Sequence, residues 1–402
     1  MSALPFRIAP LQPHAPARKP TASTWGADVK RILCVRLDRL GDLLMTTPAL
    51  HALRESAPNR HLTLLTSSVG AQAAPYLSDI DDVIAYDAPW NSLVPDPAAS
   101  DDLAMRELLA SRKFDAAVIF TVYSQSPLPA ALLCHLAGIP RRLAHCRENP
   151  YGLLTDWVPE EEPHAQMRHE AERQLALVAS IGAATHDPRM RFALAAQAQR
   201  TAAQRLIALG LNPHGPWAIL HPGASAPSRR YPPERFGEVA TRLVQATDWP
   251  ILLTGTPDER ALIAAVVDAA GPAARSRLHD LSGSLSLGEF AALIEQATVL
   301  IANNSGPVHL ASALGTPVVD LYALTNPQHT PWMTPHRVLF QDVDCRWCYR
   351  GVCPTGHHAC LLGVPAAQVA TAAIELVAQC GRPAQAASMT DVGTPAEAPL
   401  SS

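Results

Sequence analysis

The sequence predicts an α/β protein built from two Rossmann-like, doubly wound halves that face each other across a cleft. Three observations carry this reading. The chain has 402 residues, which at ~150 residues per domain suggests two or three domains. Hydrophobic residues make up 48% of it, enough to bury a core that offsets the entropy of ordering the chain. Short apolar strands alternate with helical spacing twice over, which is the pattern of a parallel sheet with crossover helices.

The first half opens with a strand over 31–37, the polar turn Asp38-Arg39-Leu40-Gly41-Asp42 and a helix over 43–55. Strands follow at 62–66, 82–85 and 116–120, the last after a helical stretch through 108, and 128–139 reads as a buried helix. Leu175, Val178 and Ile181 give helical spacing over 167–181 and close the half. The pattern restarts after Gly210-Leu211-Asn212-Pro213. Strand 217–220 leads into the loop 221–232 and a helix over 233–246; strand 251–254, helix 258–269, strand 278–281 and helix 287–296 come next. Strand 299–302 runs into Asn303-Asn304-Ser305-Gly306 and a helix through 314, before strand 317–322. The expected organisation is a disordered arm over 1–28, punctuated by Pro at 5, 10, 13, 16 and 20, a first domain over 29–211, a second over 212–382, and a disordered tail over 383–402.

The formal net charge of -4 gives no sign of a nucleic acid partner. Positive charge is nearly all Arg, with Lys only at 19, 30 and 113. No stretch reaches the ~18 apolar residues of a membrane span, and the Pro-rich start lacks the apolar core of a signal peptide. The cytoplasm is therefore the expected location, where structural disulfides are disfavoured. Neither G-x-G-x-x-G after the first strand nor G-x-x-x-x-G-K-[ST] occurs, which argues against a plain dinucleotide enzyme or a P-loop NTPase.

Ligands of doubly wound sheets sit beyond the carboxyl ends of the strands, and three segments there could carry chemistry. Asn303-Asn304-Ser305-Gly306-Pro307-Val308-His309 leaves a strand and opens a helix. Free N–H groups and the helix dipole favour a phosphate at such an end, and Pro307 suits the first turn. The same residues also describe an ordinary helix start capped by Ser305. The loop 221–232 brings hydroxyls, Ser225 among them, and the adjacent Arg229 and Arg230. Their guanidinium forks suit a diphosphate, although a solvated basic loop would look alike. Asp42, after the first strand, is a candidate general base or else a helix cap. Asp79-Ile80-Asp81 and Asp342-Val343-Asp344 have the D-x-D form of some metal sites, and the first reads better as a solvated loop.

Taken together, these segments resemble glycosyltransferase family 9, which includes the heptosyltransferases of lipopolysaccharide core assembly. The likeness covers most of 30–380 and rests on 35–49, the loop 221–232, 280–287, 303–317 and 323–332. It implies a GT-B fold and an inverting, metal-independent transfer from an ADP-heptose-like donor, at the cytoplasmic side and in reach of the inner membrane, to a lipid-linked glycan acceptor. By position it makes Asp42 the catalytic base and places Arg229 where many members have a Lys on the donor phosphates. Ser305, Gly306 and His309 match the diphosphate-binding helix start, Gly283 to Leu285 would lie against the base, and Glu259 would meet the ribose. Many members have Asp where this chain has Asn304, which can only hydrogen-bond. Another GT-B enzyme, such as an epimerase or a UDP-sugar transferase, and a non-catalytic sugar-nucleotide-binding paralogue remain as alternatives.

One motif stands apart. Cys345, Cys348, Cys353 and Cys360 follow C-x2-C-x4-C-x6-C, with His357 and His358 between the last two. Such a set could close a structural Zn²⁺ site or hold an iron–sulfur cluster, or remain free thiols in a reducing compartment.

Overall fold

The computed structural model describes residues 24–91 and 99–381. They form two six-stranded sheets in which every pairing is parallel. The first contains β1 (Arg31–Arg36), β2 (His61–Thr66), β3 (Asp82–Ala85), β4 (Ala116–Ile119), β5 (Arg141–Cys146) and β6 (Asp156–Pro159), in the order β3-β2-β1-β4-β5-β6. The second contains β7 (Ala218–His221), β8 (Ile251–Leu253), β9 (Leu278–Asp280), β10 (Val299–Asn303), β11 (Val318–Leu321) and β12 (His336–Leu339), in the order β12-β11-β10-β7-β8-β9. Counted from its own first strand, each sheet follows one topology. Ile32 to Val35 and Val299 to Ala302 are buried throughout, as expected where helices cover both faces of a parallel sheet.

The order reverses between β1 and β4 and again between β7 and β10. At such a point the connections leave in opposite directions and a crevice opens at the strand ends. The two crevices face each other because the helix Leu40–Ser56 of the first half packs on the helix Gly306–Leu314 of the second. Leu43, Leu44 and Met45 share one apolar core with Val308, Leu310 and Ala311. Gly41 makes the approach feasible, since a Cβ there would stand 2.7 Å from Cδ2 of His309.

The halves divide earlier than the boundary expected at 211–212. The helix Ala196–Ala208 packs against Leu287–Gln296 of the second half, where Arg205 pairs with Glu289 at 2.9 Å and Gln199 donates to Glu295 at 2.8 Å. The expected arm also ends sooner. Trp25 is buried and its N–H donates to the Ile181 carbonyl at 3.0 Å, so 24–28 belong to the first half. The rest of that arm, and the tail over 383–402, lie outside the described residues. Among the described residues no helix is long and apolar enough to cross a membrane.

Candidate active site

Arg36, the last residue of β1, is fully buried and organises the first half's side of the cleft. Its guanidinium stands 3.0 Å from Asp38, 3.3 Å from Asp42 and 3.2 Å from Glu170. A permanently charged fork can serve several carboxylates at once. The Glu170 contact is a hydrogen bond, whereas Nε and Nη2, which face Asp38 and Asp42, lack aligned acceptors. Burial pushes Asp38 up from its ordinary value, Arg36 opposing and Asp42 adding to the rise. Asp42 lies in the first turn of Leu40–Ser56, but Arg39 occupies the N-cap. The capping alternative for Asp42 therefore does not hold.

On the second half, the loops after the neighbouring strands β7 and β10 converge. Asn303 ties them, its Oδ1 accepting from Tyr231 N–H at 2.9 Å and its Nδ2 donating to the Pro222 carbonyl at 2.7 Å. Arg229 ends a 3-10 turn over Pro227–Arg229. Burial draws its guanidinium below the usual value, Asp42 from across the cleft being the main opposing charge. Its Nε is buried with no hydrogen-bond partner. Ser305 is the N-cap of Gly306–Leu314, yet its hydroxyl donates to the Asn303 carbonyl at 3.0 Å and no side chain caps the helix. The helix start is left open to a ligand, because capping would have consumed its N–H groups.

Burial disfavours the charged form of the cleft's histidines. Burial drives His309 well below its ordinary value, with His329, His169 and Arg229 acting in the same direction. His329 is lowered by burial against the pull of Glu170 and Asp42. His309 Nδ1 and His329 Nε2 are buried without partners. Glu259 closes the far side. It folds over Gly223, where a Cβ would lie 2.1 Å from its Oε1, and accepts from Thr256 N–H at 2.8 Å.

The open cleft between the halves has a volume of ≈ 830 Å³, and Asp42, Ser225, Arg229, Glu259, Asn304, Ser305, Gly306 and His309 all line it. Arg36 and Glu170 act from behind this lining and His329 within it; none carried a sequence signal beyond a place in or near a recognised segment. Gly283 and Leu285 do not line it. Gly283 backs onto Pro257, and Leu285 packs against the shared core. The D-x-D pairs are spent elsewhere: Asp79 meets His51 at 3.1 Å, Asp81 accepts from Leu62 N–H at 2.7 Å, and Asp342 pairs with Arg346.

Residues 103–358 match the family described as glycosyltransferase family 9 (heptosyltransferase). The chain belongs to glycosyltransferase family 9. It is similar to lipopolysaccharide heptosyltransferase 2 of Escherichia coli, with 24% identity over 83% of this chain and 94% of that protein. Among solved structures, a glycosyl transferase family 9 protein from Veillonella parvula superposes with a TM-score of 0.72 at 21% identity, covering 90% of this chain and 99% of that one. The E. coli ADP-heptose lps heptosyltransferase II superposes with 0.68 at 20% identity, covering 87% and 99%. The fold is thus the GT-B fold of the heptosyltransferases, and the chain is a glycosyltransferase.

Two features of this transferase need their own account. Asn304 is buried and donates to Asp320 Oδ2 at 3.0 Å and to the His329 carbonyl at 2.8 Å. Burial raises Asp320 well above its ordinary value, so an acid at 304 would face a second buried acid. The amide is the group that fits. The four cysteines surround one small cavity, but among the described residues no three His, Cys, Asp or Glu side chains are arranged to hold a metal ion. Cys345 Sγ lies 3.5 Å from His357 Nε2, and Cys353 Sγ accepts from His358 N–H at 3.4 Å. The Zn²⁺ or iron–sulfur alternative offered by the spacing therefore finds no support among the described residues.

Proposed function

We propose that this transferase moves a heptose, or a related sugar, from an ADP-sugar to a hydroxyl of a lipopolysaccharide core or similar glycan acceptor, with inversion and without a catalytic metal. The observation that carries the reading is the placement of Asp42 opposite Arg229 and the open helix start across one cleft. A relative is named for ADP-heptose, and family membership favours the same donor class here. The acceptor would reach the cleft from the inner membrane surface, the enzyme working on its cytoplasmic side.

In this mechanism Asp42 takes the proton of the acceptor hydroxyl while that oxygen attacks the anomeric carbon. The carbon–oxygen bond to the diphosphate breaks on the opposite face, and ADP leaves with the electron pair. One displacement inverts the anomeric centre. Arg229 and the N–H groups at Ser305 and Gly306 receive the growing charge, a fixed array that needs no reorganisation at the moment of reaction. His309, whose charged form burial disfavours and Arg229 opposes, adds a hydrogen bond, and Glu259 receives the ribose hydroxyls.

The test is turnover of ADP-heptose, other ADP-sugars and UDP-sugars on a core-oligosaccharide acceptor, with the product's anomeric configuration read by NMR. Transfer from an ADP-sugar with inversion, lost by about 10²–10⁴-fold in Asp42→Ala, supports the reading. Preference for UDP-sugars, donor epimerisation, or binding with no turnover would each replace it.

A further inference from the structure

The cysteine-rich segment 345–360 has no part in the reaction as derived, yet it holds the residue next to Arg229 from two sides. Ser228 is buried. Its N–H donates to the Gly351 carbonyl at 3.1 Å, and its own carbonyl accepts from His358 Nε2–H at 2.7 Å. Within the turn itself only short-range bonds act, Arg229 N–H to Ala226 and Arg230 N–H to Pro227. Both backbone groups of Ser228 are thus fixed by residues more than a hundred positions away in sequence, and the cavity walled by the four cysteines backs directly on Ser228.

The segment also reaches the opposite wall. Tyr349 donates its N–H to the Leu324 carbonyl at 3.1 Å, accepts from Asn326 N–H at 3.1 Å through its hydroxyl, and meets Tyr123 of the first half edge-on at 6.2 Å. Trp347, Tyr349 and His358 all have left-handed backbone, with φ of 57°, 53° and 48°. Non-glycine residues hold that conformation only where the surroundings over-determine it. Of this segment, Gly351 and His358 touch the turn that carries Arg229.

We propose that the cysteine-rich segment is a brace for the donor's diphosphate site, in which His358 is a positioning residue that sets Arg229 through the Ser228 carbonyl. The inference rests on the proposed phosphate role of Arg229. Losing the His358 bond frees the Ser228–Arg229 peptide to tilt, and the guanidinium then meets the diphosphate less often in its productive pose. The effect falls on the ligand's second phosphate, because the brace acts through Arg229 alone.

Calorimetric titration of full-length protein with ADP and AMP tests this in His358→Ala, His358→Gln, Arg229→Ala and the double variant His358→Ala/Arg229→Ala. His358→Ala should weaken ADP roughly 3- to 10-fold, the worth of one buried hydrogen bond. AMP should be unaffected, and His358→Gln, which can still donate to the carbonyl, should recover most of the loss. In the double variant ADP should bind no more weakly than to Arg229→Ala, since non-additivity marks a shared pathway. If His358→Ala does not fold, His358→Asn, too short to reach the carbonyl, carries the same test. Equal losses for AMP and ADP, full additivity, or unchanged ADP affinity in a folded His358→Ala or His358→Asn protein would overturn the brace. If Arg229→Ala itself leaves ADP binding unchanged, the phosphate reading falls and the brace with it. If Arg229→Ala weakens ADP while the His358 variants do not, the brace alone falls.

Discussion

Replacing Arg36 by Met removes the buried cation that stands beside Asp42 while keeping most of the side chain's volume. At an effective dielectric of ~20, two unit charges 4 Å apart interact by ~4 kcal/mol, and the observed separation is 3.3 Å. Asp38 and Glu170 share the same guanidinium, so the part felt at Asp42 is smaller. Arg36 also opposes the rise that burial imposes on Asp38, so without it two buried carboxylates lose their cation. Removing one partner of a buried ion pair costs ~3–5 kcal/mol, and Arg36→Met should lose about that much stability in denaturant unfolding at neutral pH. Asp38 then has a folded-state value raised further above the unfolded one, so the cost should shrink as pH falls through the carboxylate range. Glu170→Gln keeps a hydrogen-bond acceptor for Arg36 and should cost less, about 1–2 kcal/mol. A loss below about 1 kcal/mol for Arg36→Met, or one that does not change with pH, would refute this electrostatic account and leave Arg36 as packing.

Other perturbations follow from the same geometry. Arg229→Ala should weaken ADP by roughly 10- to 150-fold and Arg229→Lys by less, by calorimetry, since a charge-assisted bond is worth ~1.5–3 kcal/mol. Asn304→Asp places two buried carboxyls together against the His329 carbonyl and should cost about 1–3 kcal/mol in denaturant unfolding at neutral pH. Both carboxyls then have folded-state values raised above the unfolded ones, so that cost should shrink as pH falls through the carboxylate range. Gly41→Ala puts a methyl 2.7 Å from the His309 ring and should lower both melting temperature and kcat/KM, where an unchanged pair would mean that the seam yields freely. Turnover should survive exhaustive EDTA, and loss restored specifically by Mg²⁺ or Mn²⁺ would bring a cation into the mechanism.

Much of this architecture was legible in the sequence because the central strands are apolar and the loops at their carboxyl ends carry distinctive residues. β1, β2, β7 and β10 read directly for that reason. β5 did not, since its sequence, Arg141 to Cys146, looks like a polar loop. Arg142 is buried there only because its guanidinium satisfies the Leu153 and Gly152 carbonyls at 2.6 and 2.9 Å, a compensation that no local pattern announces. The short strands β6 and β12 and the helices Ala196–Ala208 and Ala366–Cys380 were missed as well. They depend on packing against partners distant in sequence. In the cleft, residues that take their place from one loop or turn, such as Asp42, Arg229 and His309, were found. Arg36 and Glu170 were not, because their meaning lies in a contact 134 positions apart. Gly283 and Leu285 were placed by family position alone, and they lie outside the lining of the cleft.

The seam where Leu44 and Met45 meet Val308 and Leu310 decides what kind of breathing the enzyme can perform. A hinge with a hydrated gap would let the halves swing apart, but close-packed interiors resist continuous deformation and move in small sliding steps. The Gly41–His309 contact sits in that seam, within the lining that holds Asp42. Displacing it would displace the reacting groups themselves, whereas Tyr123 and Tyr349 join the halves through one edge-on ring contact that can part without repacking a core. Substitutions at the seam should therefore be felt in the chemistry, and substitutions at the tyrosine pair in the rate of product release.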